Sequence, residues 1–268
     1  IDGYGHVDVQ RAVELLLDVD LPDRRSLGGD NWPLDNMNVP EVWEDANASG
    51  KGIKIAVLDA AIDSSHPEFR GRLAKGYDFV NYDRIPDDDH GHGTHVAGSI
   101  AASNDGIGMT GVAYNSKIMA IKVCYKNNKG KGVCTDSSVI SGIYWAVDKG
   151  ADIINLSLGG PSVSRSYYDA IAYAHVNGVI PVMAAGNEYD SSPAYPAAFA
   201  IDYVIAVGAS NDQGLIPRFS NKSGSQELDY VTAPGVDVVS TIPGGSYAPL
   251  DGTSMAAPQV SGICALIK

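Results

Sequence analysis

Five short apolar runs, nearly continuous rather than alternating, constrain the fold of this 268-residue chain most strongly. Such runs are typical of strands buried on both faces, as in a parallel sheet that is covered by helices. They lie at Ile53–Leu58, Ile118–Val123, Ile153–Leu158, Val179–Ala184 and Val204–Val207. Helical patterns separate them at about Glu41–Ala48, His92–Ser103, Ser137–Lys149 and Tyr167–Asn177. The alternation predicts a three-layer α/β fold, a mostly parallel twisted sheet with helices on both faces.

Length and charge limit the remaining possibilities. With 44% hydrophobic residues, the chain is long enough to bury one sizeable core, so we expect a single domain over residues 1–268. The formal net charge of −13 argues against nucleic acid and anionic membrane as partners, since both reward Lys and Arg. No apolar run approaches the roughly 18 residues of a spanning helix. Because the chain begins with Ile1, we expect a processed protein or an excerpt.

Residues suited to nucleophilic catalysis follow the ends of predicted strands or open predicted helices. Ser254 lies in Gly252-Thr253-Ser254-Met255-Ala256-Ala257-Pro258, a turn that opens an apolar helix. Unpaired N–H groups and the positive end of the helix dipole favour a developing oxyanion there. His92, in His92-Gly93-Thr94-His95, is a candidate base, and Asp59, directly after Ile53–Leu58, is a candidate orienting acid.

These motifs resemble those of the subtilisin-like serine proteases, and the likeness runs from about Asn31 to the end of the chain. The order Asp, His, Ser is that of subtilisin. The family also lines its substrate cleft with a stretch like Ser157–Gly160, and its oxyanion donor is an Asn in a stretch like Ala184–Asn187. The resemblance implies catalytic roles for Asp59, His92, Ser254 and Asn187. It implies substrate-binding roles for Ser157, Leu158, Gly159, Gly160, Ala185, Gly186 and Glu188.

The implied function is a serine endopeptidase that works through an acyl-enzyme, with broad specificity and a preference for bulky apolar residues before the cut. Glu188 either attracts Lys or Arg to the pocket mouth or faces solvent. Peptides or proteins are the expected substrates, a propeptide is a further partner to consider, and we expect a secreted, extracellular monomer.

Two departures from the family pattern keep other functions open. Asp59 is followed by Ala60 and Ala61, where the family has Ser or Thr and then Gly, and Gln259 replaces the usual His after Pro258. A missing hydroxyl partner predicts slower catalysis rather than none. The alternatives are a catalytically impaired module that binds peptides or serves as a scaffold, and a peptide ligase or processing enzyme.

A structural calcium ion is the expected cofactor. By resemblance, its ligands are Asp30, Glu68, Ser103, Asp105, Ile107 and Met109, a mixture of side-chain and backbone oxygens that suits Ca²⁺. The alternative is a plain Gly-containing turn on a solvated acidic surface. A transition-metal cluster of His90, His92 and His95 is disfavoured, because the metal would occupy the base.

The same loop contains Gly106-x-Gly108-x-x-Gly111, which formally matches a dinucleotide fingerprint. The match follows a predicted helix and precedes a predicted strand, which is the reverse of the order that the fingerprint requires.

Cys124 and Cys134 bracket a polar, Gly-rich loop, so a disulfide in an oxidising compartment is one prediction and two reduced thiols the other. Cys264 lies within an apolar helix, which indicates inert packing.

The N-terminal segment, residues 1–28, carries a second resemblance. Gly3-Tyr4-Gly5 followed by Val9, Ala12, Val13 and Leu16 at helical spacing is similar to the entry and last helix of many members of the family. We therefore hypothesise a permuted, excised or engineered order of segments. The alternative is an ordinary amphipathic helix.

Overall fold

A seven-stranded sheet, parallel throughout, forms the middle layer in the computed structural model of the protein, which describes residues 5–22 and 26–268. Its strand order is β2-β3-β1-β6-β7-β8-β9. Two antiparallel ribbons, β4–β5 and β10–β11, lie outside it. The strands are β1 (Lys54–Asp59), β2 (Tyr77–Asp78), β3 (Lys117–Lys122), β4 (Cys124–Lys126), β5 (Gly132–Cys134), β6 (Ile153–Leu156), β7 (Ile180–Ala184), β8 (Ile205–Ser210), β9 (Tyr230–Pro234), β10 (Val238–Ile242) and β11 (Ser246–Leu250).

The helices are α1 (Val9–Leu17), α2 (Trp32–Asn36), α3 (Val39–Asp45), α4 (His92–Ala101), α5 (Asp136–Asp148), α6 (Arg165–Val176) and α7 (Thr253–Ile267). Short 3₁₀ turns occur at Gly29–Asn31, Pro67–Phe69 and Ala197–Phe199. None of the helices within the described ranges has the length and apolar character needed to cross a bilayer.

Successive residues of a strand point to opposite faces, and the sheet therefore has two cores. Ile55 and Val57 of β1 join the core that α4 and α7 complete. Ala56 and Leu58 face the other way, toward α5 and α6. This double burial explains why the strands are apolar along their whole length, and the predicted three-layer fold is confirmed.

All five predicted strands form, with ends shifted by at most three residues. The third ends at Leu156 rather than Leu158, because Ser157 turns from the sheet to contact α7. The pattern missed β2, which has only two residues, and β9, which contains Thr232 and Pro234. The predicted Cys124–Cys134 disulfide is present and links the two strands of the β4–β5 ribbon.

The N-terminal segment packs beside β9 and against the core that α7 completes. The Val7 N–H donates to the Thr232 carbonyl oxygen at 2.9 Å, which places the chain beside β9. Val9 and Val13 of α1 join the same core as Val260 of α7. The permutation hypothesis requires this proximity, yet the order of segments stays a prediction. Residues 1–4 and 23–25, which include Gly3 and Tyr4, lie outside the described residues.

Candidate active site

Asp59 and His92 meet where a strand ends and a helix begins. Asp59 closes β1 and is 4% exposed, and His92 is the first residue of α4. The His92 Nδ1 lies 2.9 and 2.8 Å from the two carboxylate oxygens of Asp59. One of these oxygens also accepts the Ala60 N–H at 2.7 Å. Because Nδ1 is held by the carboxylate, Nε2 is the nitrogen left to accept a proton.

The environment of His92 shifts its titration. Burial lowers the pKa of the imidazole, but the charge and hydrogen bond of Asp59 and the charge of Asp88 outweigh burial and raise it above its ordinary value. His95 behaves oppositely: burial lowers its pKa to about 4, and its Nε2 lies 3.1 Å from the carbonyl oxygens of Val238 and Ala248. His95 is therefore a neutral structural residue.

The acidic segment before His92 is tied to the start of α4. Asp88 accepts the N–H groups of His90 and Gly91 at 2.9 and 2.7 Å, and that of Thr94 at 3.0 Å. A carboxylate at a helix N-terminus satisfies orphan donors and complements the dipole. The segment thus fixes the direction from which His92 enters the site.

Lys122 also binds the acidic segment before His92. The sequence did not indicate this role. Lys122 is 3% exposed at the end of β3, directly beside Asp59 in the sheet register. Its Nζ lies 3.0 Å from a carboxylate oxygen of Asp89 and donates to the Asp87 carbonyl at 2.6 Å. The available signal was a lysine inside an otherwise apolar predicted strand.

Ser254 exchanges hydrogen bonds with Ser157. The Ser157 Oγ donates to the Ser254 carbonyl at 2.9 Å, and the Ser254 Oγ donates to the Ser157 carbonyl at 3.2 Å. Pro258 explains the first bond: it lies four residues after Ser254 and lacks the N–H that would otherwise bond this carbonyl within α7. Among the described residues, no hydrogen bond joins Ser254 to His92.

Two donors converge at the start of α7. The Asn187 Oδ1 accepts the Thr253 N–H at 2.9 Å and the Thr253 hydroxyl at 3.1 Å, so this oxygen is fixed and the amide NH₂ points away from Thr253. The next N–H, that of Ser254, has no acceptor within residues 5–22 and 26–268. An unpaired N–H beside an oriented amide is the donor arrangement that an oxyanion requires.

The predicted substrate-binding residues lie on two segments, one directly after β6 and one directly after β7. Gly160 pairs with Tyr195 through hydrogen bonds of 2.8 and 3.0 Å, which ties the first segment to the chain that follows Glu188. A Cβ added to Gly159 would lie 3.0 Å from the Tyr195 carbonyl oxygen, so the two chains approach closely at this glycine.

Glu188 is exposed but oriented. Its Oε2 accepts from the Asn221 Nδ2 at 2.9 Å, and Asn221 in turn accepts the Glu188 N–H at 3.0 Å. A Cβ at Gly186 would come within 2.6 Å of this carboxylate, so the group lies over the glycine rather than extending freely into solvent. Asn221 is 33 residues away in sequence, and no local pattern indicated it.

The predicted calcium ligands come together only in part. One carboxylate oxygen of Glu68 accepts the Ser103 N–H at 2.9 Å, and the other accepts the Tyr247 hydroxyl at 2.5 Å. Burial chiefly raises the pKa of Glu68, to which the charge of Asp105 adds. Asp105 accepts the Ile107 N–H at 3.0 Å within the loop. In the part of the chain that the structure describes, no three His, Cys, Asp or Glu side chains are grouped to hold a metal ion.

The sequence matches the subtilase family over residues 50–268. The chain belongs to the subtilase family. It is 42% identical to the major intracellular serine protease of Bacillus subtilis (strain 168), over 87% of this chain and 73% of that protein. It is 41% identical to subtilisin BL of Lederbergia lenta, over 88% and 83% of the respective chains. The crystal structure of a cold adapted subtilisin-like serine proteinase matches with a TM-score of 0.72 and 36% identity, over 82% of this chain and 76% of that chain.

This subtilase is accordingly a serine endopeptidase, as predicted. Its departure from the family pattern at Ala61 has a local consequence, because Ala61 has a φ of 80°, a conformation that favours glycine. The carbonyl of the same residue lies against Gly93, where an added Cβ would meet it at 2.0 Å. Strain is therefore located two residues after Asp59.

Proposed function

We propose that this subtilase hydrolyses peptide bonds in peptides or proteins through an acyl-enzyme on Ser254. The observation that carries the proposal is the donor pair at the start of α7, formed by the unpaired Ser254 N–H and the Asn187 amide that Thr253 orients. A module that only binds peptides has no need for donors directed at one point beside a serine hydroxyl.

In this proposal Ser254, His92, Asp59 and Asn187 divide the reaction between them. The Ser254 Oγ leaves the Ser157 carbonyl, attacks the substrate carbonyl and loses its proton to the His92 Nε2. Asp59 keeps the imidazole in the required tautomer and stabilises the imidazolium that forms. Asn187 and the Ser254 N–H bind the oxyanion, and His92 returns the proton to the leaving amine. Water then attacks the acyl-enzyme ester. His92 takes a proton from the water and gives it to the Ser254 oxygen as that oxygen leaves.

We infer that specificity is broad, with two classes of residue accepted before the cut. Small residues along Ser157–Gly160 and at Ala185 and Gly186 leave room for a bulky apolar side chain. The Glu188 carboxylate, held by Asn221, offers a charge partner to Lys or Arg.

A structural calcium ion remains part of the proposal. The proposal rests on the buried Glu68 and on Asp105, whose charge contributes to the raised pKa of Glu68. Ser103 and the backbone carbonyls of Ile107 and Met109 would complete the ligand set. When bound, the ion would supply charge compensation to this loop. Asp30 would be a further ligand.

Calcium removal tests this proposal directly. We expect EGTA to lower the melting temperature of the wild type, because an ion that binds only the folded state stabilises it by mass action. The Glu68→Gln variant should show little response to EGTA, whereas Asp83→Asn, outside the loop, should respond like wild type. Equal responses of wild type and Glu68→Gln would reject Glu68 as a ligand.

We also propose a secreted, extracellular protein. The Cys124–Cys134 disulfide supports this location, since such bonds persist in oxidising compartments.

Labelling with a fluorophosphonate probe, followed by mass mapping, tests the proposed chemistry. We expect one label per chain on Ser254, and none on the Ser254→Ala variant. A folded protein that is not labelled would favour the impaired module. Labelling with transfer of the acyl group to an added amine in preference to water would instead indicate a ligase.

A further inference from the structure

A cluster of positive charge lines a cavity at the end of the sheet where β1 begins, opposite to the end that carries Asp59. Lys54, Lys75, Arg84 and Lys149 all line one cavity of about 630 Å³. Among the described residues, the lining contains no Asp or Glu, although the chain as a whole has a formal net charge of −13. The cavity therefore has the opposite charge to the molecule that contains it.

None of the four cations is neutralised by a described residue. Their side chains make no ion pair or hydrogen bond with any residue in the ranges 5–22 and 26–268. Asp152 is nearby, but its carboxylate is engaged by the Lys54 backbone N–H at 2.9 Å and by the Lys268 Nζ at 3.6 Å. Like charges around one concavity repel each other, and an anion bound among them would remove that cost.

Two aromatic rings form the apolar part of the wall. Tyr77 and Trp145 have ring centroids 6.0 Å apart with an interplanar angle of 34°, and the Lys149 Nζ lies 6.0 Å from the Trp145 centroid. Met119 is buried in the lining. A cavity of this size suits a small molecule.

The cavity is separate from the candidate active site. Lys54 opens β1 and Asp59 ends it, so the two lie roughly 16 Å apart along the strand at about 3.3 Å per residue. A ligand bound at Lys54 therefore does not touch Ser254 or His92 directly.

We propose that this cavity binds a small multivalent anion that carries a flat ring, with Lys54, Lys75, Arg84 and Lys149 on the anionic groups and the ring against Tyr77 and Trp145. Lysine ammonium and arginine guanidinium groups both suit phosphate oxygens, and aromatic faces suit a flat ring. The site binds its ligand whether or not Ser254 is reactive.

Isothermal titration with ATP is the test, accompanied by the fluorescence of Trp145. We expect saturable binding of ATP, weaker binding of tripolyphosphate, which has no ring, and none of adenosine, which has no charge. Raising the salt concentration from about 0.05 to 0.5 M should weaken ATP binding, because the cations are exposed. The Trp145→Phe variant should retain binding of ATP and lose most of the fluorescence change.

A matched pair of variants assigns the binding to the cavity. Lys75→Gln/Arg84→Gln should weaken ATP binding about tenfold, since it removes two of four exposed cations. Lys129→Gln, in the turn between β4 and β5, should leave it unchanged. Equal affinity of the double variant and wild type would overturn the proposal. So would binding of a hexaglutamate peptide without binding of ATP, which would indicate an acidic protein segment instead.

Discussion

At the scale of single residues, Ala61 has a side chain where the backbone conformation favours glycine. The residue is fully buried and its φ of 80° lies in the left-handed region, which costs an L-residue with a Cβ about 1–2 kcal/mol. Asp59 lies two residues earlier and carries the hydrogen bonds to His92. The strain at Ala61 therefore lowers stability close to Asp59, the carboxylate that holds His92.

Replacing Ala61 by glycine should recover part of that cost. We expect Ala61→Gly to raise the free energy of unfolding by about 0.5–1 kcal/mol, because relief of strain exceeds the added entropy of the unfolded chain. Urea denaturation measures it. Ala60→Gly is the control and should be destabilising, since Ala60 has no positive φ. A loss of stability in Ala61→Gly would show that the Cβ contributes more through packing than it costs in strain.

The Glu188 carboxylate should determine how basic side chains are accepted. For Glu188→Gln we expect kcat/KM on a substrate with Lys before the cut to fall about five- to tenfold relative to one with Phe, which corresponds to about 1–1.4 kcal/mol. Asp190→Asn removes an equal charge nearby and is the matched control. The same ratio in all three proteins would place Glu188 outside the pocket.

At the scale of elements, the loop before α4 is held from two sides, by the helix N–H groups that Asp88 accepts and by Lys122. The resemblance to the subtilisin-like serine proteases predicted that Asp59 and His92 would act together, and the sequence placed Asp59 at a strand end, where open α/β sheets bind ligands. It did not predict Lys122 or the Thr253–Asn187 bonds. These contacts join residues 35 and 66 positions apart, and no periodicity encodes them.

Removing the Lys122 ammonium should loosen this loop. We expect Lys122→Met to lower the free energy of unfolding by about 1–3 kcal/mol, less than for a fully buried pair because Asp89 is 45% exposed and can be hydrated. The kcat/KM should also fall about tenfold, since His92 loses part of its support. Denaturation and kinetics measure the two effects. Asp89→Asn keeps the bond from Lys122 to the Asp87 carbonyl and should have the smaller effect. Wild-type kcat/KM in Lys122→Met would refute the positioning role.

At the scale of the whole molecule, the charge of −13 acts in the same direction as the local carboxylates. Asp59 and Asp88 already raise the pKa of His92 against the effect of burial. A surface of net negative charge stabilises the imidazolium further, because the potential of many charges adds at one site. The pKa of His92 therefore depends on the protein's overall charge as well as on the adjacent carboxylates. Varying the salt concentration separates the two contributions, because salt screens distant charges most.

The pH dependence of kcat/KM should report this coupling. In the proposed mechanism His92 accepts a proton and can do so only when it is neutral, so activity should rise with pH through an apparent pKa above the ordinary 6.5 of an imidazole. The same raised pKa stabilises the folded state below about pH 6.5, and this contribution is lost as pH rises through the folded-state value, so activity increases where that contribution declines.

Added salt should lower the apparent pKa, because it screens the distant charges, but should not return it to 6.5, because Asp59 is in direct contact. An apparent pKa at or below 6.5 in low salt would contradict the effect of the adjacent carboxylates and that of the net charge. An apparent pKa above 6.5 that does not change with salt would assign the whole shift to Asp59 and Asp88.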